Sequence, residues 1–343
     1  MNVQFCATSA FKIDSGELKE KIYTECEKLF GISLKRSHFP GPQPVAVERK
    51  DLSKFNNGYV VCEKTDGERA VLLLINIDNK PMCFIINRNN ELYFTNLSFK
   101  KEVFEGTVFD GEIIKTNQSS TNLDKSSTNL DKSSTNLDKS SSGNSWNFLI
   151  HDCMCYNGVS FISKSHRLRY ACIMDFILKR YSNKETDCFN IKTKLFFKYG
   201  PEIEKTWEHI KKTTENKIDG LIFTPIDQPI RFGRDYSLFK WKEEHTMDLL
   251  VKKNPDLKSS NSLGLYGSSR GELYIVDKIK ESIIKEFIKE TKLPKEGLII
   301  EFKYQDNQFI PYRIRTDKTI PNGKITIDNT FINIKENIQI QEL

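Results

Sequence analysis

A lysine closes the apolar run YVVCEK and opens the string Lys64-Thr65-Asp66-Gly67-Glu68-Arg69. A lysine amine attacks only when neutral, and partial burial beside other cations lowers its pKa toward that state. Two more Asp-Gly pairs follow: Asp110-Gly111, with Glu112 directly after it, and Asp219-Gly220 inside Ile218-Asp219-Gly220-Leu221-Ile222-Phe223. Taken singly, Asp-Gly is the commonest hairpin turn. Taken together, they offer carboxylates at strand ends, where hard cations such as magnesium are held. Lys240-Trp241-Lys242 puts two ammonium groups on one face of a strand and the indole on the other. Arg313, Arg315 and Lys318 form a second basic cluster within YRIRTDK. Alone, these clusters read as a lysine-protected edge strand and a solvated turn. With Lys64, Arg69 and the carboxylates they describe a polyphosphate site that takes a metal ion.

The elements that must position these residues are mostly short strands. Leu18, Ile22, Cys26, Leu29 and Phe30 recur at helical spacing after Ser15, a capping residue. In HFPGPQPVAV, Pro40, Pro42 and Pro44 predict a loop without regular structure. Strand patterns follow in YVVCEK, ERAVLLLIN, MCFIINR, ELYF and TVFDGEII, and later in WNFLIHDCMCYNG, NIKTKLFFKY, DGLIFTP and SLFKWK. HRLRYACIMDFILKRY and GPEIEKTWEHIKKTT read as helices. Between these segments the heptapeptide SSTNLDK repeats at 119–125, 126–132 and 133–139. It carries one apolar residue per period where a coiled coil needs two, so a disordered insertion at 117–145 is expected. Beyond Glu243, short strands (MDLLVKK, GELYIVD, GLIIEFKY, FIPYRIR) surround one helical stretch at 279–290, a pattern that fits a small β-barrel of the OB type.

Composition sets the bounds. The 343 residues carry 52 basic and 46 acidic side chains, a net +6, which suits a polyanionic partner without locating one. At 29% charged and 38% hydrophobic residues the chain is neither an acidic solvating protein nor a bilayer-spanning one. Its eight cysteines include no CxxC pair and sit in apolar stretches, as buried thiols of a reducing compartment do. The start, MNVQFCATSAFK, lacks the pattern of a secretory signal, so an intracellular protein is expected.

KTDGER, FDGEII, IDGLIFTP, FKWK and RIRTDK occur in the order and spacing of the covalent lysyl-nucleotidyltransferase superfamily, and the likeness runs over about residues 36–322. Within it the chain resembles the mRNA capping guanylyltransferases. FPGPQPVA at 39–46 is similar to the loop that precedes their nucleophile, and RIRTDKTIPN and SLFKWKEEHTMDLL resemble their later motifs. The resemblance implies an α+β fold: an antiparallel-sheet nucleotidyltransferase domain (ATP-grasp-like, DNA ligase-like) at 1–243, then an OB-fold domain at 244–343. ATP-dependent RNA or DNA ligase, and a catalytically inactive RNA-binding relative, are the alternative readings.

For the site, the resemblance implies that Lys64 attacks GTP and carries GMP to the 5′-diphosphate end of RNA, forming the GpppN cap. Arg69 belongs to the nucleotide site, and Arg69, Lys240 and Lys242 are expected to disfavour the charged form of Lys64 by repulsion. Arg88 and Glu112 would hold the ribose, and Lys240 and Lys242 the α-phosphate. Asp219, with Glu112, would hold Mg2+ or Mn2+. Arg315 and Lys318 would reach the outer phosphates when the two domains close, and Asp248 matches an aspartate of the pattern. His151 stands where the family has an aromatic stacked on guanine; a buried, hydrogen-bonded histidine is the other reading, with Phe148 as a neighbouring candidate. Lys194 is expected to read the guanine O6, with Lys192 as the alternative. The implied partners are a separate RNA triphosphatase, a cap methyltransferase and the phosphorylated tail of RNA polymerase II, with no membrane. The implied location is the nucleus, or a cytoplasmic viral factory if the gene is viral.

Overall fold

The run Ala70–Ile75 is apolar at every position, so a strand built from it must be buried on both faces. The computed structural model describes residues 10–343 except 37, 56–57, 96, 98, 116–145, 183, 185–186, 254–260, 292–296 and 317. The SSTNLDK repeats, with the insertion expected at 117–145, lie outside the described residues. In chain order the first strands are β1 (Ala10–Lys12), β2 (Pro42–Ala46), β3 (Tyr59–Thr65), β4 (Glu68–Ile77), β5 (Lys80–Asn87) and β6 (Leu92–Thr95). Next come β7 (Glu105–Lys115), β8 (Trp146–Tyr156), β9 (Val159–Ser160), β10 (Asn190–Thr193), β11 (Phe197–Lys198), β12 (Ile218–Pro225) and β13 (Gly233–Lys242). The last are β14 (Thr246–Lys252), β15 (Ser262–Ser269), β16 (Glu272–Lys280), β17 (Leu298–Gln305) and β18 (Gln308–Ile314). The helices are α1 (Gly16–Phe30), α2 (His166–Asp175), α3 (Ile203–Thr213), α4 (Glu281–Phe287) and α5 (Lys324–Glu336).

Three mainly antiparallel sheets result. The first runs β1-β6-β5-β4-β7-β8-β10, with β9 paired to β8. Both faces of β4 are covered, as its sequence requires. Val71, Leu73 and Ile75 pack with Ile22, Cys26 and Phe30 of α1. Leu72 and Leu74 point the other way, into the cluster that holds Cys172 and Ile173 of α2. Full burial of each such side chain contributes about 1.5–3 kcal/mol, which makes this sheet a stiff frame. The second sheet, β11-β3-β12-β13-β2, is backed by Ile203, Trp207 and Ile210 of α3.

The third sheet, β16-β15-β14-β17-β18, has α4 between its third and fourth strands in chain order, the sequence of elements expected of the small OB-type domain. Among the described residues no pairing between β16 and β18 closes it into a barrel. From this sheet the chain returns to the larger body. Ile338 and Ile340 are buried with Trp207 and Trp241, and the indole N–H of Trp241 donates to the Ile338 carbonyl at 2.8 Å.

Four segments differ from their sequence patterns. Pro42–Ala46, expected as loop, forms the edge strand β2, parallel to β13, where a proline's missing N–H is tolerated. NIKTKLFFKY breaks into β10 and β11, which join different sheets. β15 has a weak pattern because Gly264, Gly267 and three serines dilute it. α5 is rich in β-branched residues of low helix propensity, yet Ile327, Phe331 and Ile334 recur at helical spacing and face the third sheet.

Candidate active site

Lys64 on β3 lies opposite Gly220 on β12, which lies opposite Lys242 on β13. A Cβ on Gly220 would fall 1.9 Å from the Trp241 carbonyl oxygen, so only glycine lets β12 approach β13 here. The register slips between Ile218 and Gly220, leaving Asp219 as the extra residue of a bulge. Bulges re-aim side chains. This one sets the carboxylate of Asp219 between two ammonium groups, with Oδ1 2.6 Å from Lys64 Nζ and Oδ2 2.7 Å from Lys242 Nζ.

Three lysines thus crowd one carboxylate. Burial lowers the pKa of Lys64, the charge of Lys242 lowers it further, and Asp219 only partly opposes them. Lys240 is pushed down to about 8 by burial and by the charges of Lys242, Lys64 and Arg88. Asp219 answers in the opposite sense. Burial alone would raise its pKa, but Lys242 and Lys64 outweigh that and hold it below the usual carboxylate range. Arg88, just past β5, is exposed and bears on the cluster through its charge.

Behind the lysines lies a second, more buried layer. Arg69 faces Glu112 across β4 and β7, yet its guanidinium pairs with Asp110, Nε to Oδ1 at 2.9 Å and Nη2 to Oδ2. Its Nη1 donates to the Pro42 carbonyl, and the guanidinium lies 5.0 Å from the centre of the Phe39 ring. The FPGPQPVA segment therefore seats Arg69. Asp110 neutralises that charge, and the largest repulsion acting on Lys64 comes from Lys242. Asp110 is fully buried; burial would raise its pKa, but Arg69 and His151 outweigh this and hold it well below the ordinary range. His151 is the extra residue of a bulge in β8, and its Nε2 lies 3.3 Å from Asp110 Oδ1 with 24% of the side chain exposed. Phe148 is 0% exposed and belongs to the core, so it is no partner for a base.

Glu112 accepts from the Gly67 N–H at 3.0 Å, from the Thr65 hydroxyl, and from Lys194 Nζ at 2.9 Å. Burial would raise its pKa, but Lys194 and Thr65 keep it below its ordinary value. Lys194 is buried against protein acceptors, whereas Lys192 is exposed.

On the third sheet Asp248 gathers the RIRTDKTIPN motif. Arg315 Nη1 lies 2.8 Å from its Oδ1, Lys318 pairs with its Oδ2, and its backbone N–H donates to the Asn322 side chain at 2.8 Å. Arg313 is held by Glu301 at 2.8 Å and lies 3.5 Å from Asp66, which Lys217 also pairs at 2.8 Å. The small sheet thus touches the KTDGER turn.

Of the three Asp-Gly pairs only Asp66-Gly67 sits in a turn; the others lie within β7 and β12. Sequence patterns gave no role to the Thr65 hydroxyl or the Phe39 ring and offered Asp110 as a metal-holding carboxylate, whereas the structure commits it to Arg69. The signal available was adjacency to Lys64 for Thr65 and the FPGPQPVA segment for Phe39. Among the described residues no group of three or more His, Cys, Asp or Glu side chains forms a cage for a metal ion. The Asp219 carboxylate is an oxygen ligand of the kind hard divalent cations take, and here its two oxygens are paired with Lys64 and Lys242.

Residues 11–244 match the family model described as mRNA capping enzyme, catalytic domain, and residues 225–343 match mRNA capping enzyme, C-terminal domain. The chain is similar to the mRNA-capping enzyme subunit alpha of Yarrowia lipolytica, 27% identical, with 89% of this chain and 81% of that protein covered. For the subunit alpha of Kluyveromyces lactis the figures are 28%, 72% and 54%. For the mRNA-capping enzyme of Danio rerio they are 26%, 84% and 46%, so the chain spans about half the length of some relatives. Among solved structures, mycobacterial DNA ligase D complexed with ATP and MES aligns at a TM-score of 0.43 and 12% identity, covering 83% of this chain and 97% of that one.

Proposed function

This chain belongs to the mRNA capping enzyme family, whose members are guanylyltransferases, and we propose that it transfers GMP from GTP to the 5′-diphosphate end of RNA through Lys64. The observation that carries this reading is the crowding of Lys64, Lys240 and Lys242 around Asp219, which favours a neutral Lys64 amine. In the first step Lys64 Nζ attacks the α-phosphorus of GTP. A P–N bond forms, the bond to the bridging oxygen breaks, and pyrophosphate leaves. In the second step the terminal phosphate of the RNA attacks the same phosphorus, and Lys64 departs and regains a proton. The product is GpppN.

Lys240 and Lys242 are proposed to hold the α-phosphate, and Arg88 the ribose. His151, partly exposed on its bulge, is proposed to stack on the base. Arg315 and Lys318 are proposed to meet the outer phosphates when the small sheet closes on the cleft. Asp219 would hold Mg2+ or Mn2+, which supplies charge neutralisation for the departing pyrophosphate. Glu112, more buried than Asp219 (15% against 32% exposed) and already paired with Lys194, is proposed to brace the site rather than bind that ion.

For partners we propose a triphosphatase that supplies diphosphate-ended RNA, a methyltransferase that acts on the new cap, and the phosphorylated tail of RNA polymerase II. The name "subunit alpha" borne by relatives supports a partner chain. The proposed site of action is the nucleus, or a cytoplasmic viral factory for a viral gene.

Incubation with α-labelled GTP or ATP and a divalent cation, followed by denaturation, tests the reading. Label from GTP is expected. Label from ATP alone would make the protein a ligase, and none from either would support an inactive RNA-binding relative.

A further inference from the structure

Tyr312 lies on β18, the edge strand of the third sheet, and is 50% exposed. Its place in the strand is irregular. Arg313 pairs with Glu301 and Pro311 with Phe302, so Tyr312 is the extra residue of a bulge. As at Asp219 and His151, a bulge re-aims the side chain it carries. Lys303 Nζ lies 4.5 Å from the centre of the Tyr312 ring, a cation–π contact. The neighbours of the ring say where it stands. Lys303 also pairs with Glu244 at 2.7 Å, and Glu244 follows Lys242 by two residues. Arg313, next to Tyr312 in the chain, lies 3.5 Å from Asp66, which follows Lys64 by two residues. Tyr312 is bracketed by two contacts between the small sheet and the large body, each close in sequence to a lysine of the reactive cluster. That position is the rim of the cleft.

The second substrate has to cross this rim. Its terminal phosphate must reach the phosphorus carried by Lys64, so the nucleotides behind that phosphate trail out of the cleft. A single strand is held, whatever its sequence, by bases stacked on aromatic rings beside cations that meet its backbone. Tyr312, with Lys303 against its ring and Arg313 next to it, supplies those parts on an exposed edge. We propose that Tyr312 stacks a base near the 5′ end of the acceptor RNA and serves the second step alone. This subsite presupposes the reading of Lys64 as the nucleophile, and GTP does not use it. Its loss has a kinetic signature. More RNA is needed for transfer, while attack of Lys64 on GTP proceeds as before.

The test uses the full chain, its Tyr312→Ala variant and its Tyr312→Phe variant. The GMP adduct is formed with α-labelled GTP, freed of excess nucleotide, and given either inorganic pyrophosphate or a diphosphate-ended RNA of about ten nucleotides. Tyr312→Ala is expected to form the adduct at the parent's rate and to return it to pyrophosphate as the parent does. Its KM for the RNA should rise about 5- to 100-fold, with transfer at saturating RNA retained. Tyr312→Phe, which keeps the ring, should stay near the parent. An acceptor made abasic next to its diphosphate should serve the parent and Tyr312→Ala alike. A parental KM for RNA in Tyr312→Ala overturns the proposal. A rise as large in Tyr312→Phe would credit the hydroxyl instead of the ring and overturns it too. So does a matching loss of adduct formation, which would put the ring in the GTP step. An unmodified chain that forms no adduct with GTP would refute the reading of Lys64 itself, a result distinct from these.

Discussion

Asp219 and Asp248 each pair with two cations, and the two clusters differ in how many carboxylates answer their cations. At Asp219 the ammonium groups of Lys64 and Lys242 share one carboxylate while Lys240 lies close by. At Asp248 the cations are Arg315 and Lys318, and Glu301 stands beside them, 3.8 Å from Arg315 and 2.8 Å from Arg313. The first cluster has more cations than carboxylates, so burial and repulsion make a proton cheap to remove. The second sets two carboxylates against three cations, so each arginine and the lysine has a carboxylate that holds it in fixed geometry. A reactive lysine and a preassembled phosphate grip thus come from the same residue types, and the count of neighbouring carboxylates separates them.

The largest break in this comparison is Lys64→Ala. It should abolish covalent labelling by GTP altogether, while the melting temperature stays near the parent's because Asp219 keeps Lys242. Peptide mapping of a persisting label to another lysine would move the nucleophile and undo the contrast.

Lys242→Met sharpens the comparison by removing the cation that most depresses Lys64 after burial itself. Attack requires the deprotonated amine, so the parent's rate of adduct formation should rise with pH and level off below the ordinary lysine pKa of about 10.4. Without Lys242 the proton is held more tightly, and Asp219 serves Lys64 alone. The midpoint should therefore move up, as expected when a neighbouring like charge is removed. A pH–rate profile of single-turnover labelling reads the midpoint separately from any loss of phosphate binding. Lys240 adds a stability signature of the same sign. Its folded-state pKa of about 8 lies below its unfolded value, so the unfolded chain binds more protons above that pH. Its contribution to stability accordingly grows as pH rises from about 8 toward 10.4.

Asp248→Asn attacks the second cluster. Losing charge-assisted hydrogen bonds to Arg315 and Lys318 should cost about 1.5–3 kcal/mol, seen as a lower melting temperature. The midpoint of the labelling profile should not move. A shift in it would mean that the two clusters are electrostatically one.

The sequence was legible where chemistry lies in residue type and order. Lys64, Lys240, Lys242 and Asp219 are visible as motifs, and the structure brings them within one contact shell. What stayed hidden depends on register. Asp219 and His151 owe their aim to single-residue bulges, which no periodicity announces. Arg69 is directly opposite Glu112 but bonds Asp110, a choice made by Pro42 and Phe39 from a segment whose prolines suggested only loop. The small domain was legible as strands around a helix, whereas the return of Ile338 and Ile340 to the large body was not. Their partners are more than 90 residues away in the chain.

That return supplies the smallest and most discriminating test. Trp241 stands between the two lysines in sequence but on the opposite face of β13, packed edge-on against Trp207 and bonded through its indole N–H to the Ile338 carbonyl. Trp241→Phe keeps most of the apolar packing and removes that donor. A net hydrogen bond is worth about 1 kcal/mol, and a carbonyl left unpaired in a buried place raises the cost to about 1–3 kcal/mol. Thermal melting should register this loss. The labelling midpoint should stay where it is, because Lys64 and Lys240 take their shifts from burial and from charges that do not belong to this segment. If the midpoint moves with the melting temperature, the C-terminal segment sets the height of the lysines in the cleft, and the cationic cluster is tuned from both sides of its strand.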